Sequence, residues 1–407
     1  MSGKGKLGLL PKLIIAIIAG ILIGKFTPEA VVRILATFNG LFGNFLGFCI
    51  PLIIVGFVAP GIGDLGKNAG RTLGLTVAIA YGSTILAGTL AFFVDSSIFP
   101  NLLQVGGMVS EAASHGNPEE ALLAPFFVVE MPALMGVMTA LLMAFTLGIG
   151  MAVTEGKKMN EIMHEFQAII AKLISSIIIP LLPLHICGIF ANMTHAGEVQ
   201  TIMSVFIKVY AVIIALHVTM LLIQYFIAGS VAGVNPFKAI KNMLPAYFTA
   251  IGTQSSAATI PVTLQQTKAN GVREDVADFV VPLCATIHLS GSTITLASCA
   301  IAVMMLHGMD VSFAAMFPFI MMLGICMVAA PGVPGGAVMA ALGVLESMLH
   351  FSPTMLSLMI ALYLAQDSFG TACNVTGDGA IAILVNKLTG RNGSTAKATE
   401  PAMGTGD

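Results

Sequence analysis

Residues 366–378, QDSFGTACNVTGD, sit between two apolar runs, MLSLMIALYLA and IAILV. Asp367, Thr371, Asn374 and Asp378 follow the spacing i, i+4, i+7 and i+11. At the angular step of an α-helix they fall within about 60° of one another, on one stripe. Phe369, Ala372, Cys373 and Val375 take the other faces, so the spacing predicts an amphipathic helix. Ionisable groups are expensive at membrane depth, and where they occur they face protein or water and serve a function. A polar seam between two helices would also line up such side chains. Two carboxylates, however, ask for cationic partners, and no Lys or Arg occurs between Arg273 and Lys387. The counter-charges are most simply brought from outside, as a metal cation and a substrate ammonium group.

Three further stretches offer chemistry. TQSSAAT (253–259) supplies Gln254, Ser255, Ser256 and Thr259 together with unpaired backbone. Irregular backbone at membrane depth is tolerated where it is buried in protein or lines a cavity, and helix N-termini there attract a carboxylate. APGVPGG (330–336) has no side-chain chemistry; its glycines and prolines suit a gate that opens and offers carbonyls, with a loop of no function as the plainer reading. CATIHLSGSTIT (284–295) interrupts an apolar run with His288, Ser290, Gly291 and Ser292. A lone His in such a helix is a hydrogen-bonded packing residue or an ion or proton ligand, and the residues leave both readings open.

These stretches must be positioned by apolar helices. The chain has 407 residues, 57% hydrophobic and only 9% charged, far below the charge of a soluble domain. Many apolar runs have the length that crosses a bilayer. The class is an all-α polytopic membrane protein. The net charge of −2 and the lack of a basic patch point away from nucleic acid. The six cysteines lie in or beside apolar runs and form no CxxC pair, so they read as packing residues rather than a disulfide or metal framework. The basic, apolar N-terminus reads as a first span and not as a cleaved signal peptide.

Candidate spans are 8–25, 36–59, 72–94, 131–153, 166–190 and 202–229. Lys4, Lys6 and Lys12 precede the first, Lys67 and Arg71 follow the second, Lys157 and Lys158 the fourth, and Lys238 and Lys241 the sixth. The loop from Asp95 to Glu130 has no Lys or Arg. The positive-inside rule places the N-terminus and even-numbered loops in the cytoplasm. The segment between Lys241 and Lys268 then has two cytoplasmic flanks and reads as a re-entrant hairpin with TQSSAATIP at its tip. Residues 276–305 cross outward, 313–350 form a second hairpin from outside around APGVPGG, and a last span at about 353–384 ends at Lys387 and Arg391. Opposed hairpins, each followed by a helix, form an inverted pair of the kind found in secondary transporters. CIPLIIVGFVAPG in span two and IIPLLPLHICGIF in span five are a weak further echo. The tail 391–407 is polar and reads as disordered.

SSAATIPV, GVPGG and NVTGD, in this order and spacing, resemble the dicarboxylate/amino acid:cation symporter family, which includes glutamate transporters and bacterial serine/threonine sodium symporters. The resemblance covers most of the chain, most strongly Asn235 to Arg391. It implies eight transmembrane helices plus two re-entrant hairpins in inverted repeats, a homotrimer, and an elevator mechanism. Residues 1–230 would be mainly scaffold and trimerisation helices, with spans three and six joining the moving part, and 231–390 the transport core. By resemblance Asp367 holds the substrate ammonium. Asn374 binds its α-carboxylate with backbone at Ser255 and Ser256, Thr371 lies beside its side chain, and Val333 and Gly335 belong to the second tip. Asp378 is the central sodium ligand, with Asn374 and main-chain carbonyls near Cys284 and His288. Ser83 and Thr84 supply hydroxyls.

Two departures shape the expectation. Acidic-substrate members carry an arginine one residue before the threonine, where this chain has Gly370, and Gln366-Asp367-Ser368 is similar to the serine/threonine symporters. The family's Asn-Met-Asp-Gly-Thr is His288-Leu289-Ser290-Gly291-Ser292 here, which replaces two sodium-ligating side chains, one of them at Ser290. The expected function is cation-driven symport, with Na+ as coupling ion and H+ as the alternative, of a small neutral amino acid such as serine or threonine, in the cytoplasmic (inner) membrane with both termini cytoplasmic. The rival readings are a symporter of acidic amino acids or C4-dicarboxylates, and a channel or transport-derived sensor. No nucleophile–base pair points to an enzyme.

Overall fold

The computed structural model describes residues 9–64, 71–103, 122–197, 199–328, 330 and 335–390. Lys4, Lys6, Lys67, Val333, Arg391, residues 104–121 and the tail 391–407 lie outside the described residues; Asp95, read from the sequence as the start of a loop, lies inside a helix that runs on to Leu102.

Every described regular element is helical. The order is α1 (Leu9–Phe26), α2 (Glu29–Asp64), α3 (Arg71–Leu102), α4 (Val137–Thr154), α5 (Lys157–Leu173), a π-turn at Ile174–Ile178, α6 (Ile179–His195) and α7 (Val199–Ala232). Then come α8 (Pro236–Thr253), α9 (Ser256–Ala269), α10 (Glu274–Ile287), α11 (Ser290–Leu306), α12 (Phe313–Val328), α13 (Gly336–Leu349), α14 (Pro353–Leu364) and α15 (Asp367–Thr389). Among the described residues, five segments are long and apolar enough to cross a membrane: Glu29–Pro60, Thr72–Leu102, Lys157–His195, Phe206–Ala232 and Glu274–Leu306.

The first half builds a frame. α2 packs on α4 and α6, and α1 on α6. The two Ile-Pro-Leu segments therefore lie on helices that touch. Gly20 and Gly24 let α1 approach the α6 backbone, since a Cβ at Gly24 would run into the Ala191 carbonyl oxygen. Small residues at such crossings bring apolar helices close in a bilayer.

The second half is short helices joined at breaks. α8 stops at Thr253 because Gln254 takes a left-handed conformation (φ 52°). α9 starts two residues on, where the Ser255 hydroxyl accepts from the Ala258 N–H, a regular N-cap. The helix break therefore falls where TQSSAATIP was expected to form a tip, and α8 and α9 pack on each other. α12 and α13 also pack together, and Gly335 caps α13 with φ 75°. α10 and α11 are parted at His288-Leu289, with His288 extended.

Two expectations change. The last apolar segment is not one helix: α14 ends at Leu364 and α15 begins at Asp367. α15 is also not amphipathic in exposure. Apart from Phe369, it is buried on every face from Asp367 to Ile383, because α7, α8, α9, α10 and α11 all pack around it.

Candidate functional site

The polar stripe of α15 is the axis of the site, and each broken segment sends one group to it. Asp367, at the first position of the helix, accepts through Oδ2 from the Gly335 N–H at 2.6 Å. The Ser368 hydroxyl accepts from Gln254 Nε2 at 3.3 Å. These two bonds bring the α12–α13 and α8–α9 junctions onto adjacent residues of the α15 start. The Tyr363 hydroxyl is within interaction range of Asp367 and Ser292, without a well-aligned hydrogen bond. Both ends of the buried Gln366 amide also lack a protein partner.

About two turns on from Asp367, Asn374 caps α11. Its Oδ1 accepts from the N–H groups of Gly291 (2.7 Å) and Ser292 (3.2 Å), and its Nδ2 donates to Ser292 Oγ at 2.9 Å. Leu289, at the N-cap position, has no side chain able to do this, so the cap comes from another helix. Thr371 is buried on the same stripe. Gly370 faces the α11 start: a Cβ there would meet Ser292 N and Thr295 Oγ1 at 3.5 Å, ordinary contact.

The far end of the stripe meets the α10–α11 break. His288 Nδ1 lies 2.8 Å from Asp378 Oδ1, and both residues are almost fully buried. Asp378 Oδ2 has no protein partner. On the other side of the ring, Nε2 lies 3.1 Å from Ser83 Oγ. Gln224 of α7 closes the cluster: its Nε2 donates to Ser83 Oγ (2.9 Å) and Ser290 Oγ (3.2 Å), and stands 3.3 Å from His288 Nε2. In the neutral ring, Nδ1–H donates to Asp378 and Nε2 accepts from Ser83 or Gln224. Thr84 turns away and donates to its own helix at Ala80 O. The Cys284 carbonyl accepts from His288 N at 2.8 Å.

The expected residues therefore divide. Ser83, His288, Ser290 and Asp378 form one hydrogen-bonded group; Asp367 and Gly335 form another, with Ser255 and Ser256 at the neighbouring junction. Asn374 stands between them with its amide engaged by α11. Two contributors were missed, both on α7. Gln224 is one. His217, buried, is the other: its Nε2 reaches the Gly291 carbonyl at 3.0 Å and Thr295 Oγ1 at 3.1 Å. Their spacing, i and i+7 within an apolar span, places them on one helical face and was the available signal.

Broken helices meeting on a buried, carboxylate-bearing helix, inside a bundle of membrane-crossing helices, define a multi-pass membrane transporter. The sodium:dicarboxylate symporter family model matches residues 9–388, and the chain belongs to that family. Among curated relatives, a serine/threonine transporter SstT of Acinetobacter baumannii (strain ATCC 17978) is 27% identical over 397 residues, covering 92% of this chain and 95% of the relative. The SstT of Streptococcus thermophilus (strain CNRZ 1066) is 23% identical over 346 residues, covering 83% and 85%.

Proposed function

We propose that the protein is a symporter coupling sodium influx to uptake of a small neutral amino acid of the serine or threonine type. The carrying observation is the α15 stripe: two buried carboxylates on a helix enclosed by protein, with no Lys or Arg from Arg273 to Lys387. The Gly335 N–H at Asp367 and the His288 ring at Asp378 are their described partners, and neither is a fixed cation of the kind that buried carboxylates call for. Asp367 takes the substrate ammonium, at a carboxylate already joined to the second tip through Gly335. The N-terminus of α9 at Ser255 and Ser256 faces the α-carboxylate, with Asn374 holding the α11 start beside it, and Thr371 lies along the substrate side chain. Sodium is carried as cargo on the Asp378 Oδ2 side, where a buried anionic oxygen has no protein partner.

Gly370 supports the neutral-substrate reading. An acidic side chain needs a cation, and glycine provides none. His288 is not available for that task, being held by Asp378, and His217 is held by Gly291 and Thr295. The names of the relatives agree with a serine or threonine substrate.

In this reading residues 1–230 are mainly scaffold, α3 and α7 move with the core 231–390, and α8–α9 and α12–α13 are hairpins dipping from opposite faces. The carrier is a homotrimer in the cytoplasmic membrane, working as an elevator with both termini in the cytoplasm. The Lys and Arg distribution supports the orientation.

The test is an uptake panel in proteoliposomes, all twenty amino acids and succinate, each with and without a sodium gradient. Sodium-driven uptake of serine, threonine or alanine is expected. Succinate or aspartate uptake in preference to these would overturn the substrate class, and uptake indifferent to sodium would overturn the ion.

A further inference from the structure

The site described above makes no use of Asp95. This residue lies on α3, near the helix end at Leu102 and within the apolar segment Thr72–Leu102. It is fully buried, and neither carboxylate oxygen has a hydrogen bond of good geometry. The hydroxyl of Ser298, on α11, lies beside it. The Ser96 and Ser298 hydroxyls are likewise without a protein partner. Asp95 and Ser298 thus face each other, both unsatisfied, where α3 packs on α11.

No countercharge reaches this point from the described residues. α11 contributes the Ser298 hydroxyl and the neighbouring Cys299 thiol. α12 brings Phe313, packed on Phe92 and Phe93, and its Cys326 belongs to the opposite end of that helix. From α7, Tyr210 donates to the Leu362 carbonyl and Lys208 donates to the Leu102 carbonyl at the exposed end of α3. In the turn after α11, His307 is tied to the Val303 carbonyl, and Asp310 is exposed and of the wrong sign. The acids of α10, Glu274, Asp275 and Asp278, stand at the start of that helix, with Cys284 near its end. On α15, Asp367 is engaged by Gly335 and Asp378 by His288, Cys373 donates to the His217 carbonyl, and Lys387 is in the exposed last turn.

An ionised carboxylate left unpaired in such a place costs several kcal/mol or more. A metal cation does not fit the surroundings. Hard metal ions take about six oxygen ligands. Here α11 is unbroken, and α3 loses a helix hydrogen bond only at Pro100, which leaves the Ser96 carbonyl without its donor; that carbonyl and the Ser298 hydroxyl are too few to complete such a shell around the carboxylate. The proton is the one cation that needs no further ligands.

We propose that Asp95 is a proton-binding site of this carrier, separate from the α15 stripe, and that its proton is exchanged during transport. The carboxyl group holds the proton while α3 and α11 are in contact. It releases the proton when the moving core, which carries α3 and α11 together, brings the end of their seam to water, leaving the carboxylate hydrated. α11 is the physical link, because the helix that carries Ser298 begins at the Gly291–Ser292 cap held by Asn374. The exchange rests on the transport reading; the protonated state does not.

Infrared spectroscopy of the full protein reconstituted in lipid, together with a pH-sensitive dye trapped in proteoliposomes, tests both halves. The expected result is a protonated-carboxyl stretching band near neutral pH that is absent from Asp95→Asn. Proton movement accompanying sodium-driven serine uptake is expected in the wild type and is lost in Asp95→Asn, which still binds serine. Asp95→Glu, which retains the carboxyl group and shifts the band, serves if the amide variant does not fold. An unchanged band in Asp95→Asn, or in Asp95→Glu where that variant stands in, overturns the protonated state. Equal proton movement in wild type and variant, or none in a wild type that transports serine, overturns the exchange. Absence of all transport in the wild type counts against the symport reading and the exchange that rests on it, and the infrared band still decides the state of Asp95.

Discussion

The Gly335 N–H and the Asp367 carboxylate are joined by a 2.6 Å hydrogen bond across the α12–α13 junction and the α14–α15 break. In the proposed mechanism the group that recognises the ammonium thereby also senses the position of the second tip. A substrate ammonium adds donors to a carboxylate that already holds this tip, so binding and tip position share one anion.

Asp367→Asn keeps the shape and removes the charge. Hydrogen bonds to charged groups contribute about 1.5–3 kcal/mol, so serine affinity is expected to fall on the order of 10- to 100-fold. Gly335→Ala should weaken binding by a different route. It places an L-residue at φ 75°, at a cost of about 1–2 kcal/mol, and brings its Cβ to 2.8 Å from a Leu364 methyl. Equilibrium binding of labelled serine measures both variants. Wild-type affinity in Asp367→Asn would remove this residue from the site.

Asp378→Asn should reduce sodium affinity and, through it, serine affinity. Coupling is reciprocal, so the factor by which sodium tightens serine equals the factor by which serine tightens sodium. Two titrations, each ligand at zero and saturating concentrations of the other, give both factors. A wild type in which the factors are near one carries no sodium coupling.

Gln224→Leu removes the donor shared by Ser83 and Ser290 and leaves buried polar groups unsatisfied. Each such group costs about 1–3 kcal/mol. The thermal midpoint in detergent is expected to drop. Gln224→Glu, which keeps the size but not the amide donors, should not restore it. A midpoint unchanged in both variants would mean that the cluster contributes nothing to holding α3, α7 and α11 together.

Gly370 sets the neutral preference in the proposed mechanism. The wild type should favour serine, threonine or alanine over aspartate by at least about tenfold, or roughly 1.4 kcal/mol. Gly370→Ala should fold and transport normally, since its Cβ makes only ordinary contacts at 3.5 Å. Gly370→Arg should move preference toward aspartate, because guanidinium offers the fork that a carboxylate accepts. Competition by unlabelled aspartate against labelled serine separates the three proteins. Strong aspartate competition in the wild type would reverse the substrate class.

The sequence by itself determined the class and the polar axis. Apolar runs of bilayer length and a scarcity of charge leave a helical membrane protein as the solution, because lipid offers nothing to unpaired backbone groups. The stripe from Asp367 to Asp378 was legible because side-chain direction along a helix follows from spacing alone. The break between α8 and α9 was legible because it fell where two basic flanks required a return.

Tertiary structure decided which partners the stripe meets. Nothing local ties His288 to Asp378, Gly291 to Asn374 or Gln254 to Ser368; each pair is distant in the chain and is joined by the packing of α7, α8 and α11 around α15. The break at Ala365-Gln366 was hidden for the same reason. No proline or glycine marks it, and its backbone N–H groups turn back onto local carbonyls, Ala365 to Ala361 and Gln366 to Tyr363; the packing of other helices around the start of α15 selects this turn over a continuous helix. Gln224 and His217 looked like isolated polar residues in an oily helix until the fold turned both toward the start of α11.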